Sequence, residues 1–166
     1  MGKLSKIALK YLGQKEIKGN MGFKSSVFDK LMRAVGFYNT APWCAYFVRA
    51  CVRECYGSES DIYKRINGSA LTSYENLEKF GFKTGNIPKD SAIVVWRHYK
   101  NGRPQGRNGH IGIVTSDLQS DLRFKTIEGN TNARGGREGE EVAQKLRSLD
   151  RTETNGLRLL GFVYLK

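Results

Sequence analysis

Apolar residues recur at three- and four-residue spacing through the first half of the chain, which predicts amphipathic helices. Leu4, Ile7, Ala8, Tyr11 and Leu12 fall on one face of the first, opposite Lys3, Lys6 and Lys10, and Gly13 is its stop. Val27, Phe28, Leu31, Met32 and Val35 repeat the pattern up to Gly36. A third helix over 42–56 carries the stripe Cys44, Phe47, Val48, Cys51, Val52 and Cys55, with Pro42 suited to the first helical position and Thr40 upstream as a cap. Thr72, with Glu75 three residues on, reads as a capping box for a fourth helix that closes at Gly81.

After Pro88 the pattern changes to apolar runs of strand length. Ala92-Ile93-Val94-Val95-Trp96 is the first, and a turn-rich stretch of Asn, Gly, Pro and Arg over 100–109 follows it. Further strands are expected over 110–115, 123–128 and 157–165, with a weaker one over 142–149. Helices followed by strands predict an α+β fold with a mostly antiparallel sheet. No internal repeat or long linker interrupts the 166 residues, so 1–166 reads as a single domain with enough chain for a core without disulfide staples.

Charge adds a partner class. The chain carries 28 Lys and Arg against 16 Asp and Glu, a net +12 and a pI near 9.8, which implies an anionic partner. The basic residues are spread along the whole sequence and form no arginine-rich arm, which disfavours nucleic acid and suits an anionic cell envelope. No apolar run approaches the roughly 20 residues of a membrane span, and the basic start leads into no signal-type segment, so synthesis in a cytoplasm with reduced thiols is expected.

Three cysteines share the third helix, and all three fit a buried stripe. Cys51 and Cys55 carry nothing beyond that. Cys44 differs by its place in the first helical turn, at the positive end of the helix dipole, where a thiolate is stabilised. A nucleophile there needs a base and a group to orient it. The chain has only two histidines. His110 opens an apolar strand in Gly109-His110-Ile111-Gly112-Ile113-Val114, at a sheet end where a side chain can face a cleft, whereas His98 has no comparable flanks. At the end of the next strand, Glu128 or Asn130 would accept a hydrogen bond from the far nitrogen of His110 and fix its tautomer. Two histidines and three cysteines show no zinc spacing, so no metal and no cofactor are expected.

Trp43-Cys44 on a helix, Gly109-His110-Ile111-Gly112-Ile113-Val114 and Glu128-Gly129-Asn130, in that order, resemble the cysteine, histidine-dependent amidohydrolase/peptidase family, called CHAP. The resemblance implies a papain-like fold and amide bonds of bacterial peptidoglycan as substrate. It also implies Cys44 as nucleophile, His110 as base, Glu128 as the residue orienting His110, and Asn130 as a further polar catalytic position. Trp43, Trp96 and Tyr38 are the aromatic candidates for substrate contact, and the segment 38–40 is expected to supply a second oxyanion donor. One departure stands in the first strand, where Ser91-Ala92-Ile93 occupies the place of the family's Gly-Asp and Asp90 is displaced.

A wall hydrolase without a signal sequence would reach its substrate by phage lysis after a holin opens the membrane, and a compact basic catalytic domain resembles phage endolysins. A secreted antibacterial effector of the same chemistry, countered by an immunity protein, is the rival. A non-enzymatic basic module binding nucleic acid or glycan on the same scaffold is the alternative from another class. Amidase and endopeptidase action use the same residues, and the choice of bond is expected to lie in the loops 97–109 and 131–141.

Overall fold

The computed structural model describes residues 1–131 and 139–165. In chain order these form α1 (Lys3–Leu9), α2 (Ser26–Arg33), α3 (Cys44–Tyr56), α4 (Asp61–Arg65), α5 (Ala70–Phe80), β1 (Thr84–Gly85), β2 (Ile93–Lys100), β3 (Arg103–Val114), β4 (Arg123–Thr131), β5 (Glu141–Ser148) and β6 (Gly156–Val163). Among the described residues the strands make one sheet of order β1-β6-β2-β3-β4-β5, with every neighbouring pair antiparallel. The fold is α+β, helices first and sheet second.

Alternation along the strands gives the sheet two apolar faces. Ile93, Val95, Ile111, Ile113, Ile127 and Val163 join the helices in the main core. Ala92, Val94, Trp96, Val114, Phe124, Leu159 and Phe162 form a second cluster. Through the main core runs α3, whose Phe47, Val48, Cys51 and Val52 are wholly buried. The β3–β4 pairing is short, with only Ile113 opposite Ile127 and Val114 opposite Thr126. Beyond it the start of α3 lies against β4. At Gly129 an added Cβ would come 2.6 Å from the Trp43 ring and 2.7 Å from Phe47 Cβ, so only glycine admits the helix this closely.

Several local expectations are corrected. The first helix ends at Leu9 rather than running on through Leu12, which is half exposed. Val27 is 78% exposed at the start of α2 and belongs to no core face. Helix α3 starts at Cys44, with Trp43 as N-cap and no side-chain cap, so Pro42 lies outside it. Thr40 does not cap the helix; it holds a left-handed φ of 74° and donates its N–H to the Asn20 carbonyl at 2.7 Å. The cap of α5 is Ser69, whose Oγ accepts the Thr72 N–H, and Thr72 lies inside the first turn. Gly81 closes that helix in the left-handed region.

The stretch 97–109 is a strand arm rather than a loop. Strands β2 and β3 continue past Arg97 and Gly109, after a register shift, to Tyr99 opposite Pro104 and Lys100 opposite Arg103. They turn at Asn101 and Gly102, whose φ values of 50° and 71° suit the tight two-residue hairpin turn that an Asn-Gly pair favours. The departure at Ser91 has a structural use. Asp90 accepts the Gly2 N–H, and Ser91 Oγ accepts the Ser5 N–H at 3.1 Å, which ties α1 to the start of β2.

Candidate active site

Cys44 is the first residue of α3, where backbone N–H groups have no acceptor within the helix. It is 7% exposed, and it hydrogen-bonds with the side chain of His110. His110, from β3, places Nε2 2.8 Å from Oε2 of Glu128 on β4, which leaves Nδ1 for the sulfur. The thiol, imidazole and carboxylate therefore stand in one line of contacts running from a helix start to two strands.

Glu128 is wholly buried and its carboxylate is saturated with donors. Thr126 Oγ1 donates to Oε1, Arg147 Nε donates to Oε1 at 2.8 Å, and a terminal guanidinium nitrogen of Arg147 donates to Oε2. Burial alone would push the Glu128 carboxyl up, but Arg147 and His110 hold it well below the usual carboxylate range. Burial likewise opposes a charged His110. Hydrogen bonds to Cys44 and Glu128, and the attraction of both, outweigh that penalty and raise its pKa to about 9. The imidazole so lies between a sulfur and a carboxylate that both favour its charged form, a pairing suited to nucleophilic acyl transfer.

A family model for the CHAP domain matches residues 36–130, a span that contains Cys44, His110, Glu128 and Asn130. The chain belongs to the CHAP domain family. Among solved structures, the crystal structure of a wild type endolysin, LysIME-EF1, matches with a TM-score of 0.57 and 17% identity, over 99% of this chain and 64% of that one. At that identity the likeness is one of fold, and the chain spans less than two thirds of that endolysin's length. No curated protein sequence matches the chain.

In this CHAP domain the structure separates the two candidates for the residue that meets His110. Glu128 makes the contact; Asn130 sits two residues on, inside the register shift between Glu128 and Thr131, with a left-handed φ of 52°. The bulge breaks the alternation that would have put both on one face. Asn130 instead borders a cavity of about 270 Å³ with Glu16, Lys18, Gly19, Asn20, Gly139 and Glu140. A larger recess, about 390 Å³ near Lys83, Lys89 and Tyr164, lies by the start of β2 and is lined by none of the three site residues.

The aromatic candidates divide. Trp43 is wholly buried, with Nε1–H donated to Glu16 Oε2 at 2.6 Å and its ring edge-on to Phe23, so it has no surface to give a substrate. Trp96 is also buried; its ring centroid lies 5.7 Å from that of His110, and it backs the imidazole instead of facing solvent. Tyr38 is 61% exposed on the turn, closed by the Ala41 N–H to the Tyr38 carbonyl, that leads into α3. Of the loop 131–141, residues 132–138 lie outside the described residues.

Sequence reasoning missed Arg147, Thr126, Glu16 and the purpose of Gly112. Glycine inside an apolar strand signals a close approach, and Gly112 makes one with Glu128. Nothing local marks Arg147, whose strand reads weakly and whose partner lies 19 residues away. Among the described residues no helix is long and apolar enough to cross a membrane.

Proposed function

We propose that this protein is a peptidoglycan hydrolase of the phage endolysin kind, cutting amide bonds of the wall peptide with Cys44 as nucleophile, His110 as acid and base, and Glu128 as the residue that orients His110. One observation carries the reading: the continuous contact from the Cys44 thiol through His110 to the buried Glu128 carboxylate. Family membership supports amide hydrolysis, and the net charge of +12 supports work on an anionic envelope.

The steps follow from these proposed roles. The Cys44 thiol gives its proton to His110 as the sulfur bonds to the amide carbonyl carbon, and the oxygen, as it becomes negative, is met by the Cys44 backbone N–H at the open start of α3. His110 gives its proton to the leaving nitrogen as the C–N bond breaks, leaving a thioester on Cys44. Water then loses a proton to His110, attacks the thioester and releases a carboxylic acid and the free thiol. Tyr38 and the segment 38–40 stay as the substrate-contact and oxyanion candidates, and Asn130 as a polar group at the cavity beside the site. The domain is made in the cytoplasm and meets the wall after the membrane is breached.

Digestion of purified peptidoglycan by the protein and by Cys44→Ala tests the reading. Soluble fragments are expected from the first and none from the second, and an unchanged wall with the active protein overturns it. Mass spectrometry of the fragments separates the two bond classes, since an amidase frees the stem from the sugar and an endopeptidase leaves it attached.

A further inference from the structure

One side chain at the site takes no part in the proton path. Arg147 reaches from β5 and lays its guanidinium along both oxygens of Glu128, with Nε 2.8 Å from Oε1. The same guanidinium carbon lies 5.0 Å from the centre of the Trp96 ring, and Trp96 in turn backs His110. His110, Glu128, Arg147 and Trp96 thus close a ring of contacts drawn from four strands.

A buried carboxylate that faced only the imidazolium would hold that proton tightly, whereas a leaving amine needs it. Two parallel donors on the carboxylate lower the negative potential felt by His110 and fix the carboxylate plane. We propose that Arg147 is a positioning residue of this site: it fixes the Glu128 carboxylate and shares its charge, so that His110 stays in one orientation and can still release its proton. This rests on the reading of Cys44, His110 and Glu128 as the reacting array. A guanidinium is suited to the role because its planar fork meets both carboxylate oxygens while its central carbon stays near the Trp96 ring, and an ammonium cannot make the paired contact.

Among the described residues, the other titratable groups facing the pair are Cys44 from α3 and Lys145 from β5, which feels both Arg147 and Glu128 and also Glu141. They are common to every variant compared. With only two histidines in the chain, the ring signals of His110 can be followed by NMR while pH is raised. Arg147→Met is expected to move the His110 titration upward by about one pH unit, a roughly tenfold tighter proton, because Glu128 is no longer shared. On peptidoglycan fragments kcat should fall about tenfold or more with KM changed less than about twofold. Arg147→Lys should recover part of kcat. In a Glu128→Gln background, Arg147→Met should leave the His110 titration where Glu128→Gln alone has put it.

An Arg147→Met protein with the parent titration and kcat overturns the proposal, and so does an equal shift in the Glu128→Gln background. If Arg147→Met does not fold, Arg147→Lys and the double variant, which leaves no buried carboxylate unpaired, decide it: an unchanged titration and kcat in Arg147→Lys overturns it. The titration needs no substrate. A null result there with intact wall digestion removes Arg147 alone, while failure of the parent protein to digest wall removes the functional reading.

Discussion

Gly112 faces Glu128 across the β3–β4 seam so closely that a Cβ on Gly112 would fall 2.7 Å from Glu128 Cγ and 3.3 Å from the Ile127 carbonyl oxygen. Glu128 reaches His110 through space that only a glycine leaves open. Gly112→Ala is therefore expected to push the carboxylate off the imidazole. A displacement near 1 Å costs about 100-fold in a positioned reaction, and overpacking costs about 1–3 kcal/mol. Turnover on wall fragments and Tm together check this, and a fully active Gly112→Ala protein would show that the close approach is irrelevant.

Trp43 immediately precedes Cys44, and the buried bond from its indole to Glu16 anchors the helix start to the segment 13–16. That segment is itself tied to β5, since the Gly13 N–H donates to the Val142 carbonyl at 2.9 Å and the Glu16 N–H to the Glu140 carbonyl at 2.8 Å. Glu16→Ala leaves a buried indole N–H without an acceptor, which costs about 1–3 kcal/mol. For a chain of this size each kcal/mol lowers Tm by about 2–4 °C. Thermal unfolding should register that loss, and Trp43→Phe should remove most of the effect of Glu16→Ala, because no N–H then remains to be satisfied.

His110 gives the protein an alkaline stability limit. Its pKa in the fold, about 9, is above its ordinary value of 6.5, so the folded state binds the proton more tightly than the unfolded chain. The stabilisation is complete below about pH 6.5 and is lost as pH rises through about 9. Glu128 acts in the opposite sense: held below the carboxylate range, it stabilises the fold above about pH 4.5, and that contribution goes as acid protonates it. Tm is expected to decline from pH 6.5 to 9, and the decline should flatten in His110→Gln. Turnover should fall over the same alkaline window, since neutral His110 has no proton for the leaving nitrogen. A Tm flat across that window would remove His110 from the account.

The side chains proposed to react each carry a local sign in the sequence. Cys44 begins a helical stripe, His110 follows a glycine at a strand start, and Glu128-Gly129-Asn130 ends a strand. Which of Glu128 and Asn130 meets His110 was not legible there, because the choice turns on a bulge and a left-handed φ at Asn130 that alternation alone does not foresee. Arg147 was hidden for a longer-range reason: its neighbours along β5 alternate weakly, and it comes to Glu128 only once the β4–β5 register is set. Trp43 misled by adjacency, since an aromatic beside a nucleophile reads as a substrate contact while burial against Phe23 and Glu16 makes it packing. The arm over 97–109 misled by composition, because Gly, Pro and Asn spread across two strands looked like one loop.

The three thiols provide a substrate-free prediction. Burial raises the Cys51 thiol well above its ordinary value, and nearby Glu54 adds to it; Cys55 is raised mainly by burial. Neither touches a base that could take its proton, whereas Cys44 meets His110 at the open start of α3. Reactivity follows thiolate character and access. Iodoacetamide near neutral pH should label Cys44 alone in the folded protein, with Cys51 and Cys55 joining only in denaturant. His110→Gln should slow the Cys44 reaction by about 100-fold or more, the lower end of what a positioned base contributes. Peptide mapping by mass spectrometry over a time course reads all three sites at once. Equal labelling rates at Cys44 and Cys51 in the folded state would leave Cys44 as one more core cysteine and withdraw the nucleophile from the site.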